Sequence, residues 1–330
     1  MSTVTFNGLG FSVNVKQIAF HIFGWPIHWY GIIIAVGFLL AVAYCSRKSD
    51  AYGISQDDLI DLLIAAVPLS IIGARIYYVV FYLDLYRNAD SSLNFGKMIR
   101  IWDGGLAIYG GIIAAALTLL VFCKIRKIPF LAFADLGSQG MLIGQMVGRW
   151  GNFVNVEAYG AETTLPWRMG IYQLVDGNYQ YLEVHPTFLY ESLWNLLGFL
   201  LLSQVVAKRR KFDGEIFLGY IAWYGLGRSW IEGLRADSLY LFSTGIRVSQ
   251  MLAVVTFVIA AGALVMMLRR SHRPEDMWVN RVAAWRSEEV SAVQMKGSDE
   301  TTPENKEDEG ERTEQALLKS DSKDGFDEHT

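Results

Sequence analysis

Seven apolar stretches alternate with polar connections along this chain. They fall at about 26–45, 57–83, 105–123, 130–148, 187–207, 214–232 and 248–268, each near the roughly 20 residues a helix needs to cross a bilayer. The last is the cleanest: residues 251–268 carry no charge and stop at Arg269-Arg270. The second, fourth and sixth are interrupted by Asp61, Arg75, Asp135, Arg228 and Glu232. The pattern predicts an all-α, polytopic membrane protein of about seven transmembrane helices. It shows neither a repeat period of solenoid type nor a convincing inverted repeat.

Basic residues orient the spans, because short cytoplasmic loops collect Lys and Arg. One set of connections holds Arg47-Lys48, Lys124 with Arg126-Lys127, residues 208–211 (Lys-Arg-Arg-Lys) and Arg269, Arg270 and Arg273. On the other side Lys16, Arg87, Lys97, Arg100, Arg168 and Arg247 are scattered over longer segments. The first set is expected in the cytoplasm, with the N-terminus outside and the C-terminus inside. The first 25 residues have neither a basic leading region nor an A-x-A site after an apolar run, so no cleaved signal peptide is expected. Beyond the last span the pattern ends. Residues 1–275 are read as one transmembrane domain and 276–330 as an acidic, disordered cytoplasmic tail.

Composition sharpens this picture. The 330 residues (37.1 kDa) are 52% hydrophobic and only 19% charged, where a soluble domain carries about a quarter charged residues. Mean hydropathy is +0.25. The net charge of −4 hides an asymmetry, since residues 296–330 hold 12 acidic and 5 basic residues and the rest of the chain is net positive. A basic apolar body suits anionic membrane lipids; no nucleic-acid partner is expected. Two cysteines, Cys45 and Cys123, exclude a disulfide framework, and the five scattered histidines offer no metal cluster.

The charges left at membrane depth carry the chemistry, because an ionisable group there costs roughly 2.5 kcal/mol or more and must face protein, water or another charge. Tyr224, Arg228, Glu232 and Arg235 follow helical spacing and share one face. The stripe reads either as a self-satisfied ion-pair array or as an anion site, where guanidinium forks grip phosphate oxygens. Two arginines against one glutamate favour the anion. Residues 148–157, Gly-Arg-Trp-Gly-Asn-Phe-Val-Asn-Val-Glu, concentrate Arg149, Asn152, Asn155 and Glu157 at a span exit. Trp150 is explained by interfacial anchoring, but the other polar groups are not. Further groups stand at span starts: His28-Trp29-Tyr30-Gly31, Trp102-Asp103-Gly104-Gly105 with Tyr109-Gly110-Gly111, and His185-Pro186-Thr187 with Tyr190-Glu191. Arg75 lies among Gly73, Tyr77 and Tyr78, and Asp135 is its available counter-charge.

The stretch 148–157 resembles the signature G-R-x-G-N-F-x-N-x-E of the bacterial phosphatidylglycerol–prolipoprotein diacylglyceryl transferases. The accessory groups above, Gly73-x-Arg75 and Arg228-x-x-x-Glu232-x-x-Arg235 fall in that family's order over most of residues 20–240. The resemblance implies a seven-span enzyme of the bacterial inner (cytoplasmic) membrane with its site toward the outer leaflet. Such an enzyme moves the diacylglyceryl group of phosphatidylglycerol to the lipobox cysteine of a preprolipoprotein, forming a thioether and releasing glycerol phosphate, without a cofactor. This is the first step of lipoprotein maturation. Arg149 and Arg228 match the family's essential arginines; Asn152, Glu157, Glu232 and Tyr30 match other functional positions, and Gly104 and Gly110 important glycines. Arg235 joins the expected phosphatidylglycerol contacts, while Arg75, Asp135, His28, His185, Asn155 and Tyr224 are expected in supporting roles. Tyr109 stands where well-studied members carry a histidine proposed as base, and a phenol of reference pKa near 10 is a poor base at neutral pH. Tyr109, His185, Glu157 and Glu232 are all candidates for that task.

Two other classes fit a membrane chain with internal charges. A lipid or solute transporter would spread its charges through the bilayer, whereas these gather toward one side. An intramembrane protease would need a nucleophile and base, and neither G-x-S-x-G nor a pair of span aspartates is present.

Overall fold

The computed structural model describes residues 2–88, 90, 92–175, 178–235 and 247–299. The chain separates into two compact units, Met1–Val279 and Asn280–Thr330. Long helices occupy each of the apolar stretches: α1 (Trp29–Lys48), α2 (Gln56–Phe81), α4 (Ile108–Arg126), α5 (Phe130–Asn155), α6 (Thr187–Leu200), α8 (Glu215–Leu234) and α9 (Val248–Leu268). A short α3 (Phe95–Ile99) lies between α2 and α4, and α6 runs through a π-helical turn, Leu201–Val206, into α7 (Ala207–Arg209). Five of these segments are long and apolar enough to cross a membrane: Trp29–Tyr52, Gln56–Phe81, Ile108–Arg126, Thr187–Arg209 and Val248–Leu268. The protein is therefore a mostly helical, multi-pass membrane protein.

Helices α5 and α8 are as long but more polar, and burial explains the difference. α5 packs against α1, α6 and α8, burying Asp135, Ser138 and Gln139 along with its apolar residues. Its small residues admit the neighbours. Gly37 of α1 faces Val147 across that contact, and a Cβ on Gly140 would meet Cys45 Sγ at 2.8 Å. At the other close crossing, a Cβ on Gly110 of α4 would collide with Tyr77 and the Gly73 carbonyl of α2.

The all-α expectation needs correction. A four-stranded antiparallel sheet, ordered β2-β1-β5-β6, joins the N-terminal strands β1 (Ser2–Phe6) and β2 (Phe11–Val15) to β5 (Met169–Val175) and β6 (Asn178–Val184). A separate hairpin pairs β3 (Ile18–Ile22) with β4 (Trp25–His28). The strands were hidden because each is short, and their period-2 alternation is drowned by the apolar runs beside them. The sheet's inner face, Val4, Phe6, Val15, Met169, Ile171 and Val184, closes over Phe188 of α6 and Phe153 of α5. That core binds the sheet to the ends of the two helices that carry most of the polar signature.

Arg75 and Asp135 do not pair with each other. Arg75 is buried and spends its whole fork on backbone carbonyls: Nε on Met98, Nη1 on Gly104 and Gly105, Nη2 on Lys97 and Arg100, at 2.5–2.9 Å. It ties α2 to the loop before α4. Asp135 caps α8 from outside that helix, accepting the Gly214 and Phe217 N–H groups at 2.8 Å each. Two backbone donors that a helix start leaves orphaned are satisfied by a buried carboxylate, with Arg210 Nη1 at 3.9 Å.

Part of the expected tail is helical. Trp278–Asp299 forms a helix, α10, where the acidic composition predicts irregular chain. Its first residue is fixed within the first unit: Trp278 N–H donates to Asp213 and its indole N–H to the Gly53 carbonyl, at 2.8 and 2.9 Å. The rest of the expected tail, from residue 300, lies outside the described residues.

Asp135→Ala should lower the thermal midpoint of the detergent-solubilised protein by the equivalent of about 1–3 kcal/mol, the cost of leaving buried backbone donors unpaired. A melting curve matching the wild type would show that the cap is dispensable.

Candidate active site

The site forms where α5 ends, α6 begins and α8 ends. α5 stops at Asn155 because Val156 turns into the left-handed region (φ +53°), as does Ala158 (φ +55°). Positive φ is an unfavourable backbone for a β-branched residue. The turn folds the following carboxylate back on the helix: Glu157 N–H donates to the Asn152 carbonyl at 3.0 Å, and Asn152 Nδ2 donates to Glu157 Oε1 at 2.8 Å. A cavity of about 490 Å³ lies beside this turn, lined by Glu157, Tyr159, Glu162, Gln173 and Leu182 among others.

Glu191, one turn into α6, is the hub. Its buried carboxylate takes Arg149 on Oε2, Arg228 on Oε1 at 3.1 Å, and Arg235 toward Oε1 at 3.9 Å. Arg228 also grips Glu232 at 2.6 Å, one helical turn along α8. The Arg247 guanidinium closes on the Glu232 backbone carbonyl. Among the described residues, three guanidiniums thus gather on two carboxylates. About a fifth of the Arg149 and Arg228 side chains stays exposed. Guanidiniums with accessible donors are the groups an anion site uses.

Of the residues singled out in the sequence, Arg149, Arg228, Glu232 and Arg235 come together here. Tyr30 packs on Gly151 of α5, where a Cβ would come within 2.7 Å of its ring, at the level of Arg149 but on another face of the helix. Asn152 and Glu157 form their own pair on the same helix end. His185 stands at the edge of the site, its Nδ1 3.2 Å from Tyr190 Oη, which also accepts the Trp167 indole N–H at 2.8 Å. Burial holds its pKa below the usual histidine value. Tyr224 stacks on Tyr220 one turn below, and the Asn155 carbonyl accepts Gln17 Nε2 at 3.4 Å.

Other expected residues lie elsewhere. Asp135 is roughly 21 Å down α5 from Arg149, at 1.5 Å per residue. His28 ends β4, exposed, opposite Ile18. Arg75, Gly104, Tyr109 and Gly110 belong to the α2–α4 pair, and Tyr109 is more than half exposed. Gly104 and Gly105 have φ of +84° and +77°, and a Cβ on Gly105 would meet Arg75 Nη1 at 2.7 Å. These glycines let the loop close on the arginine. Among the described residues no group of His, Cys, Asp and Glu is placed to hold a metal ion.

The sequence signal for Glu191 was present but underused. It is a carboxylate inside an apolar helix, the feature that singles out Glu232, and it closes the His185–Glu191 group that the sequence marks. Glu191→Gln should lower stability by on the order of 2 kcal/mol, less than a fully buried pair because the arginines remain partly solvated. Inorganic phosphate should raise the melting midpoint of this variant more than that of the wild type. An equal response would mean that the arginines are not an anion site.

Sequence comparison accounts for most of this chain. The profile of the family described as prolipoprotein diacylglyceryl transferase matches residues 17–266. A Lactiplantibacillus plantarum protein named phosphatidylglycerol–prolipoprotein diacylglyceryl transferase is 43% identical over 261 residues, covering 76% of this chain and 88% of that protein. Proteins of the same name from Finegoldia magna and Enterococcus faecalis are 46% and 42% identical, covering 76% and 81% of this chain and 94% and 95% of their own lengths. With the signature residues gathered at one end of the bundle and the match running through seven long helices, the chain belongs to the prolipoprotein diacylglyceryl transferase family.

Proposed function

We propose that this protein transfers the diacylglyceryl group of phosphatidylglycerol to the lipobox cysteine thiol of a preprolipoprotein. The observation that carries the reading is the cluster of arginines on Glu191, with Arg149 and Arg228 partly exposed, in a chain of this family. Arg149 and Arg228 bind the phosphodiester, with Arg235 beside them. The thiolate sulfur attacks the glycerol carbon of the diacylglyceryl group; the S–C bond forms as the C–O bond to phosphate breaks. The bonding pair leaves on the phosphate oxygen, so glycerol phosphate departs as a dianion. Two guanidiniums stabilise that growing charge, and a cationic site also lowers the thiol pKa from about 8.5. Glu191 and Glu232 orient the forks and occupy them until the phosphate arrives. The thiol proton passes to a base among Glu157, Glu232 and His185. Tyr109 is the weakest of the four candidates, for its pKa class and its place on the α2–α4 pair.

In this reading all seven long helices are spans. α5 and α8 tolerate their charges because α1, α6 and α9 shield them. The basic clusters at the opposite helix ends face the cytoplasm, so the arginine cluster faces the outer leaflet of the bacterial inner membrane. The one-sided gathering of charge disfavours a transporter.

Purified protein in phosphatidylglycerol vesicles should add a diacylglyceryl mass to a lipobox peptide. Lipid movement without peptide modification would point to a transporter instead. Arg149→Ala and Arg228→Ala should each lower the rate on the order of a hundredfold; full activity in both would remove the arginines from phosphate binding.

At position 109, Tyr109→Phe should retain activity near the wild-type level. A collapse in the Phe variant with recovery in Tyr109→His would place the proton transfer there after all.

A further inference from the structure

The β3–β4 hairpin belongs neither to the sheet nor to the arginine site. Its register pairs Phe20 with Ile27 and Ile22 with Trp25, so these four side chains share one face, with His21 and Pro26 on the other. Phe20, Ile22 and Trp25 are all exposed. At the tip Phe23 is completely exposed, with φ +48° followed by Gly24 at +83°. Positive φ at both central residues defines the type I′ turn, which strongly prefers Asn or Asp before Gly. An aromatic residue there carries a steric penalty of about 1 kcal/mol while presenting its ring outward.

A lone two-stranded hairpin is at best marginally stable in water. Among the described residues, this one packs mainly against the start of α1. Strand β4 runs into that helix without a linker, His28 ending the strand and Trp29 opening α1. Because α1 begins a segment fit to cross a membrane, the hairpin is tethered at the level where that segment leaves the bilayer. Exposed Lys16 stands just before β3, where an ammonium meets lipid phosphate. From this geometry we propose that the β3–β4 hairpin inserts its apolar face and Phe23 tip into the interfacial layer of the bilayer, with phospholipid as its partner. Tyr30 follows two residues after the strand and rests on Gly151, two residues from Arg149. The inserted hairpin therefore fixes the depth at which the arginine cluster meets lipid headgroups. The insertion stands independently of the reaction proposed above.

The test uses full-length Phe23→Cys carrying an NBD fluorophore, in nanodiscs of phosphatidylethanolamine and phosphatidylglycerol; Cys45 and Cys123 are buried. Tyr172→Cys, on the exposed outer face of the sheet, is the reference. The label at 23 should emit at shorter wavelength than at 172, and lipids with a doxyl group near the top of the acyl chain should quench it several-fold more. With the label on Ile22→Cys, adding Phe23→Asn should reduce quenching without lowering the melting midpoint, since Asn suits the turn. Equal emission and quenching at 23 and 172 would overturn the proposal, as would quenching at 22 that Phe23→Asn leaves unchanged. Trp25→Cys gives the same readout should Phe23→Cys not fold.

Discussion

The arrangement depends on one buried carboxylate shared by several guanidiniums. Away from water, an unpaired arginine is expensive and an unpaired glutamate equally so. Glu191 resolves the problem for Arg149, Arg228 and Arg235 together. That solution requires the end of α5, the start of α6 and the end of α8 to converge. The helices converge because α5 is the central helix of the bundle, and because the small sheet clamps the ends of α5 and α6 through Phe153 and Phe188. The sheet, which contributes none of the arginines, is thereby part of what holds them in register.

The cluster couples its charges rather than isolating them. Among the described residues three guanidiniums meet two carboxylates, which offsets part of the cost of holding charge in a low-dielectric setting. Arg149 and Arg228 keep about a fifth of their side chains exposed, and in the proposed reaction those are the forks a phosphate would meet. The strained turn at Val156 belongs to the same economy, since a relaxed helix end would leave Glu157 away from Asn152.

Much of this was legible in the sequence, for identifiable reasons. The long helices are legible because apolar runs of span length are a strong signal, and the residues that come together around Glu191 stand out because charges inside those runs are rare. Glu191 is marked in the sequence as part of the His185–Glu191 group, but Pro186 and Thr187 suffice for a helix start there, so its place as the hub follows only from the convergence of α5, α6 and α8. The sheet escaped because strands of five to seven residues give too few alternations to stand out. The supposed Arg75–Asp135 pair failed for a different reason. Opposite charges in two spans suggest a partnership, yet both groups had backbone partners that no sequence pattern announces.

That outcome also separates Arg75 from the arginines of the cluster. Arg75 donates to five carbonyl oxygens, neutral acceptors fixed by the fold. With every donor satisfied, nothing remains to offer a substrate, and its charge is delocalised over loop dipoles. Arg149 and Arg228 instead meet carboxylate side chains, and both keep part of their surface open. A guanidinium with all its donors on carbonyls is a strut; one that rests on carboxylates with part of its fork exposed has donors left to offer. That difference supports placing the proposed phosphate contacts at Arg149 and Arg228, and the loop around Arg75 in the role of joining α2 to α4.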